Sequence, residues 1–201
     1  MGQYYYEYGQ DSIYCYPDSF ILKNKLNIKD QKTLEEAERN ITALRILELK
    51  QNPPKGRMDF KYLQKLHKQI FGDIYVWAGK IRNVNITKGN MFCDCRFIET
   101  MAHELFEELE REDYLRSCDL KSIADRLAYY LSEINALHAF REGNGRTQRL
   151  FIEILAERAG FEVDFSEVSA EEMIEASAEA FLKSYEKMNQ IMRRIVKIDE
   201  G

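Results

Sequence analysis

From Asp30 onward, apolar residues recur every three or four positions in one segment after another, and that period commits the chain to a helical core. Asp30 is placed to cap the first segment. Leu34, Ala37, Ile41, Leu44 and Leu47 then step along one face until Asn52-Pro53-Pro54-Lys55-Gly56 stops the helix. A second helix begins near Asp59 and carries Phe60, Leu63, Leu66, His67 and Ile70 on one side. Further helices are predicted over about 97–112, 120–137, 146–159 and 169–197, the last broken in two. Gly160 is suited to the position just past a helix end, and Ser169 with Glu172 has the form of a capping box.

One stretch breaks the pattern. Ile81, Val84, Ile86 and Phe92 lie around Thr87-Lys88-Gly89-Asn90, two short extended runs about a Gly-Asn turn, which predicts a hairpin near 83–95. No other segment is expected to be strand. Residues 1–19 show no helical period and hold six tyrosines within the first sixteen positions. They fit an extended arm lying on the body, or a partly disordered terminus. With 201 residues and no internal repeat, the expectation is one all-α domain over 20–201, a small hairpin inside it, and a tyrosine-rich arm over 1–19.

Several function classes fall away. A formal net charge of −5 gives no electrostatic support for direct nucleic-acid binding. No apolar run approaches the roughly 20 residues of a membrane helix. The start, Met1-Gly2-Gln3-Tyr4-Tyr5-Tyr6, lacks the basic and apolar regions of a secretory signal. Cys15, Cys93, Cys95 and Cys118 match no zinc framework, so free thiols and a cytoplasmic protein are expected.

The segment most suited to chemistry is His138-Ala139-Phe140-Arg141-Glu142-Gly143-Asn144-Gly145-Arg146-Thr147-Gln148-Arg149. Each part alone is ordinary. A lone histidine after an apolar run is commonly packed or solvated, Gly-Asn-Gly is commonly a turn, and arginines three apart commonly decorate a helix face. Together they are specific. A glycine-bracketed loop lets backbone N–H groups approach a ligand, and the following helix aims its unpaired N–H groups and positive dipole end into the same space. Arg146 and Arg149 extend from one face of that helix, so backbone donors and two guanidinium forks suit an oligophosphate. Glu142 offers a hard oxygen ligand for Mg²⁺ held jointly with phosphates. His138 is the one base of the segment that is available at neutral pH, and Phe140 is suited to anchor the loop in the core.

At these residues the chain resembles the Fic family, whose signature is matched by His138-x-Phe140-x-Glu142-Gly143-Asn144-Gly145-Arg146-x-x-Arg149 at every fixed position. Tyr16-Pro17 with Leu22-Lys23-Asn24-Lys25-Leu26 is similar to the entry of those Fic toxins that pair with a separate small antitoxin. His67-x-x-Ile70-Phe71-x-Asp73-Ile74-Tyr75-x-Trp77-Ala78-Gly79-Lys80-x-Arg82 resembles the segment before the Fic hairpin. The resemblance covers about nine-tenths of the chain. It implies the Fic fold, a helical bundle with a β-hairpin flap, and an enzyme that moves AMP from Mg²⁺-bound ATP to a Ser, Thr or Tyr hydroxyl of a target protein, releasing pyrophosphate. Carried onto this sequence, His138 is the base and Glu142 helps hold Mg²⁺. Asn144 with the backbone of Gly143 and Gly145 cradles phosphate. Arg146 and Arg149 hold the outer phosphates, Arg149 nearest the γ-phosphate.

The resemblance also implies that the flap, about 83–95, holds the target by strand addition, with Lys88 and Phe92 facing nucleotide and target. Fic domains are commonly restrained by a helix bearing Ser/Thr-x-x-x-Glu-Gly/Asn. Only Glu142 and Glu200 precede Gly or Asn here, and neither has Ser or Thr four positions earlier; Thr100 and Glu104 are followed by Leu105. The restraint is therefore expected from a separate antitoxin, and the target from the family's usual pair, DNA gyrase and topoisomerase IV. Three alternatives stand beside this: a Fic transferase with UMP, phosphocholine or phosphate as donor; an effector Fic domain acting on host proteins; and a binding protein with a silent motif.

Overall fold

In the computed structural model, residues 5–6, 12–88 and 90–199 are described; the side chains at 5, 6, 88 and 90 lie outside that description. Seven α-helices and five strands follow in chain order among these residues: β1 (Tyr5–Tyr6), α1 (Gln31–Gln51), α2 (Phe60–Phe71), β2 (Ile86–Lys88), β3 (Asn90–Met91), α3 (Ile98–Arg111), α4 (Leu120–Leu137), α5 (Asn144–Arg158), β4 (Phe161–Val163), α6 (Ala170–Phe181), α7 (Glu186–Ile195) and β5 (Val196–Ile198). The mostly helical architecture follows the periodicity.

Local chemistry sets the helix starts. The Asp30 carboxylate accepts from the Thr33 N–H at 2.9 Å, and Asp59 does the same for Tyr62 at 2.9 Å, each satisfying an orphan donor of the first turn. Asp119 with Ser122, and Ser169 with Glu172, form reciprocal capping boxes ahead of α4 and α6. Gly160 adopts φ +88° just beyond α5.

α4 and α5 form the centre. α4 buries Ile123, Leu127, Leu131 and Ile134 among its neighbours and packs on α3, α5, α6 and α7. α5 buries Leu150, Phe151, Ile152, Ile154 and Leu155, nearly all round, and packs on α1, α2 and α4. The motif joins these two helices, so the loop is held by the most buried part of the molecule.

Three expectations fail. Strand is not confined to the hairpin: β4 and β5 pair antiparallel with Phe161 opposite Ile198, so the last helix ends at Ile195 and Val196–Ile198 is strand. This three-residue pair is too short to show an alternating pattern. Leu44 and Leu47 of α1 are exposed, whereas its buried residues are Leu34, Thr42 and Leu49. Apolarity alone misplaces that face because its inner side carries polar residues that bind α5. Finally, α5 begins two residues before position 146, at Asn144.

The hairpin is present as β2 and β3, with Thr87 opposite Met91 and Lys88 opposite Asn90. β1 pairs antiparallel with the outer side of β2, Tyr5 opposite Thr87 and Tyr6 opposite Ile86. Of the expected arm, residues 1–4 and 7–11 lie outside the described residues. Tyr14 and Cys15 are buried, and Cys15 bridges to Leu22, so this part of the arm lies against the body.

Candidate functional site

α4 ends at Leu137, and His138 caps it in the left-handed region, φ 44° and ψ 56°. A non-glycine residue stays there only when its surroundings hold it. Arg82 supplies much of that hold. Its buried guanidinium donates from Nε to the His138 carbonyl at 2.7 Å, from Nη1 to the Val84 carbonyl at 2.7 Å, and from Nη2 to the Cys93 carbonyl. The Arg82 N–H adds a bond to the Ala139 carbonyl at 2.9 Å. One side chain thus ties the start of the motif to both roots of the flap. The His138 ring is buried and lies flat on Phe92, centroids 3.7 Å apart and planes 13° from parallel. The Phe92 N–H bonds the Ile86 carbonyl at 3.2 Å, which fixes that ring to the hairpin.

The loop after His138 closes on itself through Asn144. Its Oδ1 accepts from the Phe140 N–H at 2.9 Å and its Nδ2 donates to the Phe140 carbonyl at 2.7 Å. The amide thus gives one donor and one acceptor to the loop, which fixes its orientation there. The Phe140 ring stacks on His67 at 3.9 Å, and Phe71 covers the other side of His67 at 4.7 Å. His67 Nδ1 accepts from the Gly79 N–H at 2.9 Å, so its proton sits on Nε2 and is donated to the Glu142 carbonyl at 2.8 Å. Burial lowers the His67 pKa to about 4, which keeps this ring neutral.

Gly143 is the N-cap of α5, at φ +81° with no capping side chain. A Cβ there would lie 2.2 Å from the Phe71 ring, so glycine is demanded by backbone conformation and by close packing together. Its N–H donates to Glu142 Oε1 at 2.8 Å. A Cβ on Gly145 would lie 3.3 Å from Arg149 Nη1, which places the Arg149 guanidinium beside the opening turn of α5. Burial and the charge of Arg146 lower the Arg149 pKa, with Glu153 opposing. Glu153 itself pairs with Lys50 at 2.8 Å. Burial and then the Glu38 carboxylate raise the Glu142 pKa; the Gly143 N–H and Arg146 oppose them.

Arg146 and Arg149 take different partners. The Arg146 guanidinium turns to α1, donating to Thr42 Oγ1 at 3.0 Å and pairing with Glu38, and lies 4.7 Å over the Phe71 ring. Its distance to Glu142 Oε1 is 3.8 Å. His138, Phe92, Glu142, Gly143, Asn144, Gly145 and Arg149 therefore gather around the α4–α5 turn, while Arg146 braces that turn from the side. Lys88 belongs to β2, but its side chain lies outside the described residues. Among the described residues, no three or more His, Cys, Asp or Glu side chains gather as a metal cluster.

Residues 57–156 match the Fic/DOC family. The chain is 41% identical over 92% of its length to the protein adenylyltransferase VbhT of Bartonella schoenbuchensis, and covers 39% of that protein. It is 38% identical to "Probable protein adenylyltransferase y4lH" of Sinorhizobium fredii, over 90% of this chain and 94% of that one. This chain belongs to the Fic/DOC family. Among solved structures, the N-terminal Fic domain of a VirB-translocated Bep effector from Bartonella quintana, with bound ADP, superposes with a TM-score of 0.88 at 30% identity, covering 93% of this chain and 95% of that one.

Sequence reasoning missed the supports of the Fic motif. Arg82 and Phe71 are included in the pre-hairpin resemblance but without a role, and Glu38 and Thr42 pass as ordinary polar residues of an amphipathic helix. No local pattern marks Arg82, Glu38 or Thr42, since the motif residues they hold, His138 and Arg146, lie from 56 to 108 positions away. The one available signal was Arg82 itself, a charged residue in the short apolar run Ile81 to Ile86 that leads into the flap.

Proposed function

We propose that this chain, as a protein adenylyltransferase of the Fic/DOC family, moves AMP from Mg²⁺-bound ATP to a hydroxyl side chain of a target protein. The observation that carries this is the α4–α5 turn. A histidine held in a forced conformation stands next to a helix N-terminus that no side chain caps, with Arg149 beside it. A helix end of this kind favours phosphate through its N–H groups and dipole.

In this reading ATP lays its phosphates along the backbone of Gly143, Asn144 and Gly145, and Arg149 takes the γ-phosphate. His138 accepts the target hydroxyl's proton as that oxygen attacks the α-phosphorus, and pyrophosphate leaves. Arg146 acts by bracing α5 on α1 as well as by its charge. The donor set fits Mg²⁺, which usually takes one or two carboxylates together with substrate phosphates. Glu142 is the carboxylate available, and the ion would neutralise phosphate charge.

The reading extends to a role as the toxin of a toxin–antitoxin pair, supported by the likeness of Tyr16-Pro17 and Leu22-Lys23-Asn24-Lys25-Leu26 to antitoxin-paired Fic toxins and by the fit between a guanidinium and a carboxylate. An antitoxin helix supplying Glu from Ser/Thr-x-x-x-Glu-Gly/Asn would pair with Arg149 in the γ-phosphate's place. The same reading takes DNA gyrase and topoisomerase IV as targets. Likeness to a VirB-translocated effector domain favours a second reading, an effector Fic domain acting on host proteins. The test is α-labelled ATP with Mg²⁺ against purified gyrase, topoisomerase IV and host lysate, with UTP and CDP-choline as competing donors. Labelling of a protein band by ATP, lost in His138→Ala, is expected. Labelling from another donor alone overturns the AMP assignment.

A further inference from the structure

Arg146 lies in the first turn of α5, four positions after Glu142. An arginine and a carboxylate so placed readily close into a charge-assisted hydrogen bond of about 2.8 Å. Here they do not. Arg146 Nη2 stops 3.8 Å from Glu142 Oε1, beyond hydrogen-bond distance. The guanidinium is held from the other side by α1. Its Nη2 pairs with the Glu38 carboxylate, its Nη1 donates to Thr42 Oγ1 at 3.0 Å, and its plane lies 4.7 Å over the Phe71 ring. Glu142 Oε1 meanwhile accepts the Gly143 N–H at 2.8 Å.

Glu38 is itself fixed. Its Oε1 takes Arg146 and its Oε2 accepts from the Tyr75 hydroxyl, so both oxygens are committed. Tyr75 is buried, and its ring stacks on Trp77 with centroids 4.4 Å apart and planes 16° from parallel. Glu38 and Thr42 stand one turn apart on α1, so a single helix face presents both acceptors to Arg146. The Glu38 side chain is only 13% exposed, and a charge so shielded from water and salt acts more strongly on its neighbours than one on the open surface.

We infer that Glu38 is a positioning residue for Mg²⁺ binding: by holding Arg146 it keeps the Glu142 carboxylate open to the ion and balances a guanidinium charge that would oppose it. This rests on the AMP-transfer reading above, with Glu142 at Mg²⁺. Without the Glu38 charge, Arg146 is drawn toward Glu142, 3.8 Å away. Two effects of opposite sign follow. Glu142 is withdrawn from Mg²⁺ and a positive charge is left unbalanced, so the ion is held less well. ATP without the ion is a polyanion, and the same unbalanced charge attracts it. Simple damage to the α4–α5 turn would instead weaken both.

The experiment measures, by calorimetry on the full chain, the affinity for α,β-methylene ATP, whose bridging carbon blocks AMP transfer, first without Mg²⁺ and then over a Mg²⁺ series. Glu38→Gln keeps the shape and hydrogen-bonding capacity of the side chain but removes its charge. The affinity gained on adding Mg²⁺ should fall about tenfold, the scale on which one charge acts over a few ångströms near a protein surface. The Mg²⁺-free affinity should hold or rise. Glu38→Asp restores the charge and should recover most of the gain. Equal losses with and without Mg²⁺ in Glu38→Gln, a Mg²⁺ gain equal to that of wild type, or a Glu38→Asp chain that behaves as the Gln variant overturns the inference and leaves the AMP-transfer reading standing. A wild-type chain whose affinity does not respond to Mg²⁺ overturns the metal role of Glu142 and the inference with it.

Discussion

Arg82 Nε donates to the His138 carbonyl at 2.7 Å, across 56 positions of chain. The same guanidinium bonds the carbonyls of Val84 and Cys93, so the histidine's backbone and the flap's two roots share one donor. Arg82→Lys keeps the charge but cannot reproduce three directed bonds from a planar fork. We expect kcat for AMP transfer to fall about 10- to 100-fold, as misplacement by about 1 Å can cost, with the KM for ATP nearly unchanged. Arg82→Ala leaves buried carbonyls unpaired, on the order of 1–3 kcal/mol each, and should lower Tm as well. Steady-state kinetics of the Lys variant separate the two effects. An ATP KM that rises in step with the loss of kcat would place Arg82 at the nucleotide instead.

His138 stands beside the helix N-terminus rather than within it. His138→Ala should abolish AMP transfer and leave ATP affinity close to wild type, because a positioned base contributes about 10²- to 10⁴-fold in rate. Calorimetric titration with ATP, alongside the transfer assay, checks this. A loss of affinity matching the loss of rate would contradict the role.

Two glycines of the motif answer to different neighbours. Gly143→Ala puts a Cβ 2.2 Å from the Phe71 ring at a φ of +81°, so it should destabilise the fold and displace the loop. We expect a cost above about 2 kcal/mol from overpacking and backbone strain together. Gly145→Ala meets only the end of the Arg149 side chain, at 3.3 Å, within a helix. It should leave Tm unchanged or higher, since alanine is favoured over glycine there by about 1 kcal/mol, yet weaken ATP binding by moving Arg149. Urea unfolding and ATP titration of the two variants should therefore rank them oppositely for stability and for the cause of lost activity.

The parts of this site legible in the sequence are those with local causes. Helix caps at Asp30, Asp59 and Ser169 are short-range side-chain bonds, and the hairpin of β2 and β3 follows from turn residues in the sequence. The turn after Leu137 follows from glycines in sequence with it. What escaped has non-local causes. The inner face of α1 is partly polar because Glu38 and Thr42 bind Arg146 on α5, so a count of apolar residues points it the wrong way. β1, β4 and β5 are two or three residues long and exist through pairing partners distant in the chain. Asn144 looks like a ligand-facing loop residue, and only the fold reveals that its amide also closes the loop on Phe140.

Glu142→Gln replaces a carboxylate with an amide of nearly the same shape, a poorer ligand for Mg²⁺. The transfer rate should fall and the Mg²⁺ concentration for half-maximal rate should rise. The Gly143 N–H can still bond the amide oxygen, so the fold should persist. A Mg²⁺ titration superimposable on wild type would remove Glu142 from the metal.

His67 makes the stability of this fold depend on pH. Its ring lies between Phe71 and Phe140, accepts from Gly79 and donates to Glu142, an arrangement that only the neutral imidazole satisfies. Burial lowers its pKa from the ordinary 6.5 to about 4 in the folded chain. Between those values the unfolded chain holds the extra proton, so stability is full above about pH 6.5 and falls as the pH drops toward 4. At about 1.4 kcal/mol per unit of pH across that window, the loss is on the order of 3 kcal/mol. Other groups titrate there too, so the informative quantity is a difference. His67→Gln keeps a donor and an acceptor without a titrating ring. It should be less stable than wild type at pH 7, through lost packing on Phe140, and should close much of that gap by pH 4.5. Urea midpoints for both proteins at several pH values measure it. Parallel curves from pH 7 to 4.5 would mean that His67 holds its proton in the folded chain as readily as in the unfolded one, and that the stack beneath Phe140 is not what keeps the ring neutral.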